Sequence, residues 1–115
     1  MSQHLYTGAS AAGGAKTNTL TAPAVNSGTS KVKKILIHSI TVTTSGADIS
    51  ADVGILLTKV ATSETWNAEL RSGKVFGSHF TFPHPIDCGH GNVTIVTDAG
   101  GAGVVVTTSV QYEVI

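Results

Sequence analysis

Side chains that can bind a metal or act as a nucleophile are concentrated in one stretch, HFTFPHPIDCGHG at residues 79–91. They are His79, His84, Cys88 and His90. Zinc sites use three or four His, Cys or carboxylate ligands, usually with one closely spaced pair. The spacing of His84, Cys88 and His90 fits that rule only loosely, so these three residues are the ones to test for metal binding.

The same stretch has a structural explanation at every position. If Phe80 and Phe82 point inward along a strand, His79 points outward. Pro83 and Pro85 then keep the chain extended without a regular hydrogen-bond ladder, as at a sheet edge or corner. The glycines that follow permit a turn. We therefore expect a sheet corner here and no metal site.

Nucleophilic catalysis is also not indicated. Cys88 and His90 lie two residues apart on a glycine-flanked turn, and no third residue is placed to orient them. The four aspartates lie near predicted turns, where solvated side chains are expected. We predict that the protein is not an enzyme and that it uses no cofactor.

Composition narrows the class of protein. The chain has 115 residues, which suits one domain, and its seven Lys and Arg balance seven Asp and Glu without a basic cluster. We therefore expect no nucleic-acid partner. No apolar run approaches the roughly 20 residues that span a bilayer, so no membrane association is expected. A single cysteine favours synthesis in the cytoplasm.

Alternation of apolar and polar residues predicts an all-β fold. The final segment GVVVTTSVQYEVI alternates with a period of two over its whole length, which indicates a long half-buried strand. The segment KVKKILIHSITVTT is apolar on both faces at its start, which indicates two-sided burial or a bulge near His38 and Ser39. His38 itself falls among Leu36, Ile40 and Val42, as expected for a core or interface histidine. Residues 62–71, TSETWNAELR, fit a helical turn or a strand equally well.

These strands predict an antiparallel β-sandwich or jelly-roll-like barrel over residues 31–115. Residues 1–30 are predicted to form an extended arm, because the segment from residue 8 onward is rich in Gly, Ala, Ser and Thr and has only Leu20 and Val25 as sizeable apolar groups. Such a segment does not form a core of its own. We expect the arm either to be a flexible leader or to dock on a neighbouring subunit or partner.

The run VKKILIHSITVTTSGADISADVGILLTK, followed by FPHPIDCGHGNVTIVTDAGGAGVVVTTSVQYE, resembles small β-sandwich virion proteins of tailed bacteriophages. The resemblance covers residues 31–115 and rests on a strand pattern with a corner at Ile86, Asp87, Cys88 and Gly89. In this chain His90-Gly91-Asn92 replaces the acidic residue usual after that corner.

The resemblance implies a capsid decoration or cement protein, often trimeric, that binds the major capsid protein or another virion protein. It implies a location in the virion, after synthesis in the host cytoplasm. The residues then expected to contact partners are Lys16, Leu20, Val25, Trp66, Arg71, His79 and His84. Alternatives from other classes are a head, neck or tail component, a lectin-like module using Trp66 with Asn67 and Glu69, and a metal-dependent enzyme on a cupin-like barrel.

Overall fold

The computed structural model describes residues 2–21, 34–73 and 77–115, and these residues form eight β-strands. The strands are β1 (Ser2–Ala9), β2 (Lys16–Leu20), β3 (Ile35–Ser45), β4 (Val53–Lys59), β5 (Thr65–Leu70), β6 (Gly77–Asp87), β7 (Val93–Thr97) and β8 (Val105–Val114). No helix in the described part of the chain is long and apolar enough to cross a membrane.

The strands form two antiparallel sheets of four. Sheet A has the order β1-β8-β3-β6, and sheet B has the order β2-β7-β4-β5. The chain passes between the sheets at almost every connection, and only the hairpin from β4 to β5 stays within one sheet. Two four-stranded sheets with this order form a jelly roll. The predicted all-β sandwich is therefore confirmed.

The core lies between the sheets and is built from alternate residues of the central strands. In sheet B, Val53, Ile55 and Leu57 of β4 are fully buried, whereas Leu56 between them is exposed. In sheet A, Val106 and Val110 of β8 are fully buried in the same way. Each central strand thus contributes one apolar face, as the period of two in the sequence requires.

A bulge in β3 changes which face of that strand is buried. Ile37 pairs with Tyr112 and Ser39 pairs with Gln111, so β3 has one extra residue, His38, opposite β8. Because of this extra residue, both Ile37 before the bulge and Ile40 after it are fully buried. The predicted bulge is confirmed.

The predicted surroundings of His38 were wrong, because the bulge separates it from the buried residues that follow in the sequence. Its Nε2 lies 3.0 Å from Oε1 of Glu113, whose side chain is almost fully buried. His38 is therefore the polar partner of a buried carboxylate on sheet A and is not a core histidine.

The N-terminal residues require a larger correction. β1 pairs with β8 along its full length, and β2 pairs with β7 from Lys16–Thr97 to Leu20–Val93. Leu20 is only 3% exposed and belongs to the core. Residues 2–20 are therefore edge strands of the domain and not an arm outside it. Residues 22–30, including Val25, lie outside the described part of the chain.

One polar contact joins β1 to β2 across the gap between the sheets, and a second joins β2 to β7 within sheet B. The Tyr6 hydroxyl donates to Oδ1 of Asn18 at 3.0 Å, and Nδ2 of Asn18 donates to the carbonyl oxygen of Ile95 at 3.0 Å. Asn18 is 1% exposed, so these bonds satisfy an amide that burial would otherwise leave without water. The segment KTNTLT at residues 16–21 contains β2, which adds as a strand to an edge of the chain's own sheet B.

Leu20→Ala should destabilise the protein by about 2 to 5 kcal/mol, because it removes a buried side chain and leaves a cavity. Thr19→Ala, on the same strand but exposed, is the matched control and should cost less than about 1 kcal/mol. Urea unfolding of both variants measures the difference. Equal stability of the two variants would show that β2 lies outside the cooperative core.

Candidate interaction surface

The stretch 79–91 forms the outer part of β6 and the turn after it. β6 pairs with β3 through Thr81–Ser39 and again through Ile86–Ile37, so residues 82–85 have no partner in the ladder. The expected break at the two prolines is therefore confirmed. It leaves His84 exposed on an irregular segment at the edge of sheet A.

Cys88 lies in the core and not in a reactive site. Its backbone N–H donates to the carbonyl oxygen of Ile35 at 2.9 Å, and its thiol donates to the carbonyl oxygen of Ile86 at 3.6 Å. The residue is 3% exposed. Burial raises the pKa of the Cys88 thiol to about 11, against the smaller opposing effect of Lys59. A thiol in this state is a poor nucleophile at neutral pH.

The three candidate metal ligands do not converge. His84 and His90 are exposed, whereas Cys88, which lies between them in the sequence, is buried. Within residues 2–21, 34–73 and 77–115, no three His, Cys, Asp or Glu side chains form a group that could hold a metal ion.

A cleft of about 400 Å³ lies beside this turn, between residues 59–64 and 87–91. Glu64 and Asp87 are the acidic residues that line it, and Asp87 accepts a hydrogen bond from the Gly89 N–H at 2.9 Å and lies 3.4 Å from Lys34 Nζ. The Gly89 hydrogen bond lowers the pKa of Asp87 most, burial opposes this effect, and Lys34 lowers the pKa further. Asp87 therefore stabilises the turn as a carboxylate and is poorly suited to donating a proton.

Trp66 does not form a platform with Asn67 and Glu69. Residues 62–71 contain strand β5, so neighbouring side chains point to opposite faces. Trp66 packs against the core and makes edge-on contacts with Phe80 and Phe82, each with ring centroids 5.3 Å apart. It joins the edges of the two sheets, whereas Asn67 and Glu69 are exposed on the outer face of sheet B.

The remaining predicted partner residues have different surroundings. Arg71 is exposed and lies 3.3 Å from Glu69 and 3.6 Å from Asp52. His79 is exposed on sheet A and hydrogen-bonds through Nδ1 to the Thr41 hydroxyl.

Lys16 is half-buried at the start of β2, and Leu20 lies in the core. Partner binding at each of these positions stays a prediction, although Leu20 has little surface to offer.

Rows of hydroxyl side chains cross the outer faces of both sheets. On sheet B, the strand pairing places four threonines in one row: Thr19, Thr94, Thr58 and Thr65. On sheet A, a row consists of Thr7, Ser109, Thr41 and His79. These rows were not predicted from the sequence, although Thr and Ser at every second position of the strands indicate them. Apart from His79 on sheet A, the rows carry only hydroxyl side chains, which suits contact with another extended surface.

No family model matches the chain, and no curated protein matches it. Among solved structures, the chain is similar to the cryo-EM structure of the extra small virus (XSV) VLP of the giant freshwater prawn Macrobrachium rosenbergii. The identity is 16%, the match covers 97% of this chain and 79% of that chain, and the TM-score is 0.36. At these values the similarity carries no functional argument.

The Cys88 thiol should react slowly with a disulfide reagent in the native protein. With a pKa near 11, about one thiol in a thousand is ionised at pH 8, against about one in eleven for a thiol at the unfolded value of 9.0. We expect labelling at pH 8 to be at least about 100-fold slower in buffer than in unfolding concentrations of urea. Rapid labelling of the folded protein would contradict the buried position.

The raised pKa also predicts the direction of a pH effect. Because the folded-state pKa lies above the unfolded one, the contribution of Cys88 to stability is complete below the unfolded value of 9.0 and is lost as pH rises toward about 11. The Cys88→Ala variant should therefore lose less stability than the parent protein between those pH values. Denaturant titrations of both proteins at each pH test this difference.

Proposed function

We propose that this protein is a non-enzymatic structural component of a virus particle. The observation that carries the proposal is the jelly-roll strand order combined with an apolar interior. Jelly rolls serve as viral capsid domains, as lectins and as cupins, and these uses differ in where the functional side chains lie.

A cupin-like enzyme binds its metal inside the barrel, and this interior is unsuited to that role. Most inward positions of the central strands are filled by Val, Ile and Leu. The buried polar side chains between the sheets include Asn18, Thr97 and Thr108, none of which is a typical ligand of a catalytic transition metal. The interior therefore supports packing and not catalysis.

A lectin-like site built on Trp66 is also poorly supported. The indole is half-buried and packs against the core and the rings of Phe80 and Phe82, so it does not stand free on the surface as a stacking platform for a sugar ring. Asn67 and Glu69 lie on the opposite side of the same strand. The rows of threonine and serine on the outer faces are instead uncharged, which suits contacts with other proteins in a large assembly, where many weak contacts add together.

A finer role follows from the resemblance noted in the sequence. It implies a decoration or cement protein of a tailed bacteriophage that binds the major capsid protein and is trimeric. On this proposal the exposed side chains of Arg71, His79 and His84 are the best placed of the predicted residues to contact the shell.

The proposal is tested by quantitative mass spectrometry of purified particles from the source of the sequence. We expect the chain in the particle at a ratio near one to one with the major shell protein, as a decoration protein requires. A few copies per particle would indicate a neck or tail component. Absence from particles, together with binding to defined members of a glycan panel, would overturn the proposal in favour of a lectin.

A further inference from the structure

The two sheets have four edge strands, and three of them carry features that oppose pairing with another chain. An edge strand exposes unpaired N–H and C=O groups, and proteins commonly protect such edges with prolines, charges, irregularities or short length. β6 contains Pro83, Pro85 and a break in its ladder. β5 carries Glu69, which lies 3.3 Å from Arg71. β2 has only five residues and begins at Lys16.

The fourth edge strand, β1, has none of these features. It runs for eight residues, SQHLYTGA, without a proline or a charged Lys, Arg, Asp or Glu. Within the described residues it pairs only with β8, so its other side is an open edge. Leu5 at its centre is 66% exposed, more than any other large apolar side chain in the described chain. Leu5 also borders an open recess of about 450 Å³ lined in part by His38 and Gln111.

We propose that β1 pairs antiparallel with β1 of a second copy of this chain. The pairing would join two copies of sheet A into one continuous sheet of eight strands. It would bury Leu5 and satisfy backbone groups that are otherwise open at the edge.

The alternation of β1 restricts the register of such a pair. Leu5 and Thr7 lie on the outer face of sheet A, whereas Tyr6 packs against the core. In a symmetric antiparallel pair, opposite residues must share a face, so their numbers must add to an even sum. The register centred on Leu5 places Leu5 opposite its own copy, where the two exposed side chains cover each other.

The lack of charge on β1 suits it to pairing with a second copy of itself. Because β1 carries no charged Lys, Arg, Asp or Glu, pairing it with itself brings no such like charges together across the symmetry axis. On the outer face of sheet A, the row beside Leu5 consists of Thr7, Ser109, Thr41 and His79. The two copies would therefore meet without Lys, Arg, Asp or Glu in this row. The inference does not rest on a role in virus particles.

Sedimentation equilibrium of the parent protein and of Leu5→Lys tests the pairing. Two lysines opposite each other should weaken self-association at least tenfold, and the mass should fall by half or more at the same concentration. Val60→Lys, at a loop position that is 53% exposed, is the matched control and should leave the mass unchanged. If the protein also forms trimers through another surface, the parent protein should have the mass of a hexamer or a larger assembly. The Leu5→Lys variant should then have the mass of a trimer.

Cross-linking fixes the register without relying on a destabilising charge. In a Cys88→Ala background, Leu5→Cys should form a covalent dimer on mild oxidation, because directly opposite Cβ atoms lie about 5 Å apart. Thr7→Cys should not, because in this register its two copies are offset by four residues, about 14 Å along the strand.

Three results would overturn the proposal. They are a monomeric parent protein at 100 micromolar, unchanged association of Leu5→Lys, and equal cross-linking of the two cysteine variants. If residues 22–33 of the same chain or a strand of another protein cover the edge, the parent is not dimerised through β1 and Leu5→Cys gives no dimer.

Discussion

The pairing of β3 with β8 is the contact on which the rest of the fold depends. These strands lie at the centre of sheet A and pair from Ile35–Val114 to Ser45–Val105. Side chains alternate along a strand, so a slip of one residue would turn an apolar face toward solvent. The extra residue at His38 shifts the alternation of β3 by one position. It allows apolar residues on both sides of the bulge to enter one core, and it leaves His38 beside Glu113, a buried carboxylate that needs a polar partner.

The sequence was sufficient to predict the features that depend on local alternation and turn chemistry. The period of two in β8 and the apolar residues on both faces at the start of β3 predicted a long strand and a bulge, and both are present. Strand formation by the N-terminal residues depends instead on partners that are distant in the sequence. Asn18 and Thr19 lie in a segment without apolar alternation, and they form a strand because β7 pairs with them and the carbonyl of Ile95 accepts a hydrogen bond from Asn18. Local composition does not reveal that edge.

The candidate site shows the same division between local and distant causes. The exposure of His84 follows from the neighbouring prolines, which are visible in the sequence. The burial of Cys88 follows from its backbone bond to Ile35, more than fifty residues earlier in the chain. In the lectin-like alternative, Trp66 forms a glycan platform with Asn67 and Glu69, which are close in sequence. In a strand, however, adjacent residues lie on opposite faces, and the contact that decides its role is with Phe80 and Phe82 in the other sheet.

The interior and the surface of this molecule suit different tasks. Between the sheets, the hydroxyls of Thr97 and Thr108 have no hydrogen-bond partner within the described structure, and each such group costs roughly 1 to 3 kcal/mol. The apolar core must offset that cost, so the interior serves stability.

On the outside, rows of threonine and serine and the uncharged strand β1 provide contacts through shape, backbone hydrogen bonds and apolar burial. Salt screens charges and has little effect on such contacts. Assemblies built through these surfaces should therefore hold together over a wide range of ionic strength.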